Sequence, residues 1–181
     1  MKDLNDIAYK VMKCKECRLW KNSTHGVPGE GSAKAKIMFI GEAPGAEEDR
    51  QGRPFVGRAG KILDKLLEKN KIDRKKVFIT NIVKHRPPEN RRPEQDEIEA
   101  CKVYLFKQIK IIKPKIVVLL GDVASTALLG KVKLKNIHGK QIKQDKIIYM
   151  PTYHPSAARF LKIKNALEKD FEKLSKINFE K

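Results

Sequence analysis

Four short runs rich in Ile, Val, Leu, Phe and Met punctuate this chain: Lys36–Ile40, Lys76–Thr80, Lys115–Leu120 and Lys146–Met150. Apolar runs of that length read as buried parallel strands, because a parallel sheet is covered on both faces. Helical patterns lie between and around them. Ala59, Ile62, Leu63, Leu66 and Leu67 form one stripe; Ile98, Cys101, Leu105, Ile109 and Ile112 form another, with Pro93 near its start. Asp122 is placed to cap a short helix through Leu129, and Leu167, Phe171 and Leu174 mark a C-terminal helix. Alternating strands and helices predict an α/β sandwich around a mostly parallel sheet. No repeat, low-complexity tract or linker divides the chain, so a single domain over residues 1–181 is expected.

Charge narrows the partners. Lys and Arg total 40 against 22 Asp and Glu, a formal +18. A Lys/Glu-rich surface of thermophile type explains many charges of both signs but not that imbalance. A polyanion does: nucleic acid first, an anionic membrane surface second. No stretch approaches the ~20 apolar residues of a membrane span. Met1–Lys13 is a charged amphipathic pattern with Leu4, Ile7, Ala8 and Val11 on one face, unlike a signal peptide. A cytoplasmic location is therefore expected, and there three cysteines suggest a metal, a reactive thiol or core packing rather than disulfides.

After each strand comes a loop of unusual composition: GEAPG, TNIVKHRPP, GDVAS and MPTYHPS. Ligands of open α/β sheets bind outside the carboxyl ends of the strands, so these loops are expected to converge. The first extends through GEAPGAEEDRQGRPFVGRAG, Gly41–Gly60, with five glycines and two prolines. Gly41, Gly45 and Gly52 permit close approach to a ligand or a positive φ. Glu42 follows the strand directly, where its carboxylate faces the cleft, and Glu47, Glu48 and Asp49 are acidic in a basic protein. Phe55 reads as a core anchor or as a stacking platform. Asn81 offers one donor and one acceptor, which suit a base edge, although an Asx turn is equally consistent. Basic, proline-rich KHRPPENRRP fits a phosphate contact or a metal loop. His154, in Tyr153-His154-Pro155-Ser156, is a ring donor at a strand end or a histidine satisfied in the core.

Cys14 and Cys17 form a CxxC, a spacing that places two sulfurs on one ion. Cys101 is a third sulfur, on an apolar stripe where burial alone is also a sufficient reason. A fourth ligand would come from His25, His85, His138 or His154.

GEAPGAEEDRQGRPFVGRAG, TNIVKHRPPENRRP and the terminal HPS, in that order, closely resemble the family 4 uracil-DNA glycosylases common in thermophilic bacteria and archaea. The resemblance runs from Cys14 to beyond Ser156. It implies a three-layer α/β/α sandwich with a central four-stranded parallel sheet. It implies that Glu42 is the acidic residue of the first active-site motif, and that the backbone around Ala43, with Gly41, Pro44 and Gly45, touches the base. Phe55 then stacks on uracil, Asn81 reads its edge, and His154 is the histidine of the last motif. Cys14, Cys17 and Cys101 match three ligands of a 4Fe-4S cluster. The family's usual fourth cysteine, in a KCRPP-like sequence, is His85 here, which keeps the ligand count for a 4Fe-4S cluster or, alternatively, a structural zinc; a three-iron cluster and a lost cluster are the other readings of this departure.

The implied reaction removes uracil from single- or double-stranded DNA and leaves an abasic site, the protein acting as a monomer away from membranes. The nucleotide flips into the pocket, the segment after His154 with Arg159 enters the minor groove, His154 donates to O2, and Glu42 serves the sugar cation or the water. Two other readings are a non-catalytic nucleic-acid-binding protein of the same fold and a glycosylase for another deaminated base. A zinc hydrolase is disfavoured, because no HExxH-like pattern occurs.

Overall fold

In the computed structural model, which describes residues 3–177, the four apolar runs become β2 (Ile37–Gly41), β3 (Phe78–Asn81), β4 (Ile116–Leu120) and β6 (Ile147–Thr152). β3 pairs parallel with β2, β2 with β4, and β4 with β6. The expected four-stranded parallel sheet is thus only the centre of a larger one. Short antiparallel strands β1 (Glu30–Gly31) and β5 (Ile142–Gln144) flank it, giving a mixed six-stranded sheet in the order β1-β3-β2-β4-β6-β5. The added strands have two and three residues and lie at the edges, where neither face needs an apolar pattern. Residues 1, 2 and 178–181 of the expected single domain lie outside the described residues, as do the first two residues of the amphipathic start.

The chain leaves β2 toward β3 on one side and returns across β2 to reach β4 on the other. Right-handed crossovers in opposite directions place their helices on opposite faces. Accordingly, α3 (Arg58–Lys69) follows β2 and packs Leu63, Leu66 and Leu67 with Phe39, Ile79 and Val118, joined by Phe171 of α7 (Leu161–Ser175). α4 (Gln95–Ile112) and α5 (Asp122–Leu129) pack Leu105, Ile109 and Val123 with Met38, Ile40, Val117 and Leu119 on the other face. Successive strand residues feed alternate cores, which is why all of β2, β3 and β4 is buried. The two short helices are α2 (Ala46–Gln51) and α6 (Leu134–Ile137). Gly121, not Asp122, caps α5. The N-terminal helix α1 (Leu4–Met12) is capped by the Asp3 side chain and buries Ile7 and Val11 near α4. Among the described residues no helix is long and apolar enough to cross a membrane.

One buried carboxylate ties the outer segments to this frame. Glu97 lies in the first turn of α4 with its side chain fully buried. It accepts from Arg91 at 2.7 and 2.9 Å, from Arg18 Nε at 2.9 Å and from the Glu94 amide at 2.8 Å. The Arg91 hydrogen bonds, helped by the Glu94 amide and Arg18, hold its pKa at about 2. A carboxylate depressed in the fold stabilises it above its ordinary pKa, and the contribution fades as pH falls through the folded value. Glu97→Gln is therefore expected to lower Tm by roughly 5 °C at neutral pH. It should also flatten the acid limb of stability between pH 4.5 and about 2. Equal acid limbs for variant and parent, measured by thermal melts across that range, would refute the assignment.

Candidate active site at the carboxyl ends of the strands

β2 ends on Gly41 and β3 on Asn81, and the two residues face each other in register. A β-carbon on Gly41 would overlap Asn81 Oδ1 and come within 2.6–2.8 Å of the Phe55 ring. The missing side chain is thus what lets three segments meet. The Phe55 ring in turn faces His154, with centroids 5.8 Å apart and planes inclined by 36°. Gly41, Phe55, Asn81 and His154, spread over more than a hundred residues of sequence, form one cluster. Gly41 and Pro44 are buried, while Glu42, Ala43 and Gly45 are half-buried.

Phe55 is held in an unusual place. Its φ is +52°, a left-handed conformation that a non-glycine residue adopts only under constraint. Three contacts supply that constraint. Buried Glu48, in the first turn of α2, accepts from the amides of Gly45 (3.1 Å), Val56 (2.8 Å) and Gly57 (2.7 Å). Arg74 donates to the carbonyls of Pro54 (2.9 Å) and Phe55 (3.3 Å). Gly60 leaves the Phe55 carbonyl room that a β-carbon would fill. Asp49 ties the same loop to the preceding segment by accepting from the amides of Thr24 (2.8 Å) and His25 (3.1 Å). In the sequence Glu48 and Asp49 stand out only as acidic residues in a basic chain. The usable signal for Glu48 was its place three residues after a glycine that begins a helix.

Asn81 is 1% exposed, and its Oδ1 has no hydrogen-bond partner. A buried acceptor without a donor costs free energy unless a ligand supplies one. His154 presents the opposite polarity. The Ser156 amide donates to its Nδ1 at 3.2 Å, and the Ser156 hydroxyl lies 2.7 Å away. Because an amide can only donate, Nδ1 is the acceptor and the neutral ring carries its proton on Nε2. Burial pushes the His154 pKa down to about 4, against a smaller opposing pull from Glu48, so the ring is neutral at pH 7. Glu42 is raised by burial, partly offset by Arg92 and reinforced by Asp122, which pair at 2.6 Å. The cluster thus offers an aromatic face, an unpaired amide oxygen, a neutral ring donor and an adjoining carboxyl.

The expectation of an iron–sulfur or zinc centre is overturned. Among the described residues, no three His, Cys, Asp or Glu side chains gather into a group able to hold a metal ion. Cys14, Cys17, His85 and Cys101 therefore do not form the four-ligand set, and neither a 4Fe-4S cluster nor a zinc fits them. The thiols are shared between two packing environments. Cys14 joins Ile7, Val11 and Tyr104 and hydrogen-bonds to Tyr104. Cys17 pairs instead with Cys101 in the core beneath α4, a hydrogen bond that lowers the Cys17 pKa and raises that of Cys101. His85 is buried with Nδ1 unpartnered, and burial lowers its pKa. The other histidines lie elsewhere: His25 donates from Nδ1 to the Asp49 carbonyl, and His138 pairs with Asp170.

Residues 28–178 match the family described as the Uracil DNA glycosylase superfamily. Among curated relatives, a type-4 uracil-DNA glycosylase of Saccharolobus solfataricus is 49% identical over 96% of this chain and 86% of its own length. One from Sulfurisphaera tokodaii is 46% identical over 98% and 86%, and one from Thermotoga maritima is 44% identical over 83% and 80%. With identities of this size across nearly the whole chain, and the Gly41, Phe55, Asn81 and His154 motifs meeting at one end of the sheet, the chain belongs to the type-4 uracil-DNA glycosylases.

Proposed function

We propose that this protein excises uracil from DNA by hydrolysing the N-glycosidic bond, leaving the sugar–phosphate backbone intact. The observation that carries the reading is the buried, unpartnered Asn81 Oδ1 beside the Phe55 ring. Uracil presents N3–H and O4 on one edge. Asn81 Oδ1 accepts from N3–H while Nδ2 donates to O4, and Phe55 stacks on the ring. Cytosine carries an amine at C4 and no proton on N3, so both contacts fail together. A site built on buried polar pairing rejects such a mismatch strongly.

The base must leave the duplex to reach this cluster. As C1′–N1 breaks, the bonding pair goes to uracil and positive charge develops on the sugar. His154 Nε2–H donates to O2, where the leaving charge gathers, and a neutral donor fixed by the Ser156 amide needs no reorganisation. Water bonds to C1′ and releases a proton, which balances the uracil anion. We assign Glu42 to the sugar side, where its carboxylate favours the cationic carbon or orients the water. The backbone of Gly41, Ala43, Pro44 and Gly45 lines the base. Beside the cluster, between α3 and α7, lies a cavity of about 680 Å³ with Arg58, Lys65 and Lys164 in its lining. Together with the +18 charge it suits the phosphate backbone. Arg159 and the exposed Phe160 and Leu161 follow the His154 turn and enter the minor groove. The reading takes residues 1–181 as one cytoplasmic glycosylase domain acting as a monomer on single- or double-stranded DNA.

Free uracil should be released from U-containing single strands and from U:G duplexes without added magnesium. Activity should fall steeply with salt, since each phosphate contact releases about one counterion. Intact DNA after prolonged incubation at several temperatures, or a flat salt profile, would count against the reading.

His154→Ala and Asn81→Asp should each slow single-turnover release on the order of 10²–10³-fold, the usual effect of removing one preorganised donor. In Asn81→Asp the carboxylate cannot donate to O4 and repels the departing anion. A variant that kept the parental rate would remove its residue from the site.

The protonation state of His154 gives a separate test. With its pKa at about 4, the parental rate should show no His154-dependent titration between pH 5 and 8. A limb centred near the ordinary histidine value of about 6.5 that disappeared in His154→Ala would contradict the neutral donor.

A further inference from the structure

Four residues beyond Thr80, the chain turns back and buries Lys84 completely. Its ammonium lies 2.6 Å from Thr80 Oγ1, 2.8 Å from the Asn81 carbonyl and 3.0 Å from Gln108 Oε1. Three protons meet three acceptors, and none of the three is a carboxylate. The acceptors are themselves anchored: Thr80 Oγ1 and Gln108 Nε2 both donate to the Pro28 carbonyl, at 3.0 and 2.6 Å. Lys84 thus joins the end of β3, α4 and the segment before β1 at one point.

An ammonium buried among neutral acceptors is an expensive way to fill a core. Apolar side chains of similar volume generally serve stability as well or better. Burial pulls the Lys84 pKa down to about 7, which reflects the same desolvation. The arrangement has a specific consequence. Asn81 ends β3, and its carbonyl is the last main-chain acceptor before the loop. The lysine fixes that carbonyl from beneath while the side-chain Oδ1 of the same residue stands unpaired toward Gly41 and Phe55. Bidentate reading of a base edge tolerates displacements of only about 0.5 Å, so the residue that fixes the Asn81 main chain also fixes its amide.

We propose that Lys84 is a positioning residue for Asn81, holding the base-reading amide in place through the Asn81 carbonyl without touching the base. The proposal rests on Asn81 reading uracil, as argued above.

The test is a double-mutant cycle of Lys84→Met with Asn81→Ala, read as single-turnover uracil release with DNA affinity measured in parallel. Coupled neighbours show interaction energies of about 0.5–3 kcal/mol, or roughly 2- to 150-fold in rate. Lys84→Met is expected to slow release about tenfold or more in the parent, with DNA affinity unchanged. In the Asn81→Ala background it should slow release less than about threefold. Equal losses in both backgrounds would overturn the proposal and leave the Asn81 reading standing. No loss in the parent would also overturn it, and a fully active Asn81→Ala would overturn both. Should Lys84→Met lose its cooperative melt, Gln108→Met removes one of the three acceptors from the opposite side. The same cycle then applies: a loss confined to the Asn81-containing background supports the proposal, and an equal loss in both overturns it.

Discussion

Parallel pairing of β2 with β3 puts Gly41 opposite Asn81, and the candidate site follows from that register. A slip of one residue would turn every side chain to the other face of the sheet. Asn81 would then point away from the cleft, and Ile40 or Glu42 would stand where only a glycine fits. Met38 and Ile40 fill one core and Ile37 and Phe39 the other, so a slip would exchange side chains of different shape between two close-packed interiors. Past the strands, Ile82 donates to the Gly41 carbonyl at 2.9 Å and Val83 to that of Glu42 at 3.2 Å, so the pairing extends into the loops that hold the candidate site.

The central strands were legible because a short, continuous apolar run between polar loops must be covered on both faces, which a central parallel strand achieves. The edge strands were not: Glu30–Gly31 and Ile142–Gln144 are short and partly exposed, with no pattern that a sequence reading can detect. Gly41, Phe55, Asn81 and His154 were each ambiguous alone. The two readings of Phe55 turned out to be compatible, since a ring 5% exposed is a core residue whose edge also lines the cluster. Its left-handed backbone could not be foreseen, because it depends on Arg74 and Gly60, which reach it through the fold. Lys84 was hidden for a similar reason. Within KHRPPENRRP it counts as one more solvent-facing cation, and only the packing of Gln108 and Pro28 reveals its burial.

The cysteines show where local spacing misleads. A CxxC on a short turn limits how far apart two sulfurs can be, but it does not make them face one point. Here α1 carries Cys14 into the pocket formed with Tyr104, while the chain beyond has begun the turn at Arg18–Asn22 and directs Cys17 toward Cys101. Buried thiols behave as small hydrophobes with weak hydrogen bonds, so this division satisfies each sulfur locally.

Charge is also divided by position. In a chain carrying +18, the buried carboxylates face inward and bind backbone amides or cations: Glu48 organises the loop of Phe55, Asp49 the segment at Thr24 and His25, Glu97 the ends at Arg18 and Arg91. Asp170 accepts from Thr152 at 2.7 Å and pairs with His138, fixing the end of β6 from which His154 projects. The excess of lysine and arginine over acid, +18 in all, gives a positive field that favours capture of a polyanion. The same acids hold the loops against that field, since repulsion among crowded lysines and arginines would otherwise loosen them. The buried carboxylates and the basic surface thus serve different ends: the first hold the loops of the cleft through fixed hydrogen bonds, the second supplies the field that draws in a polyanion.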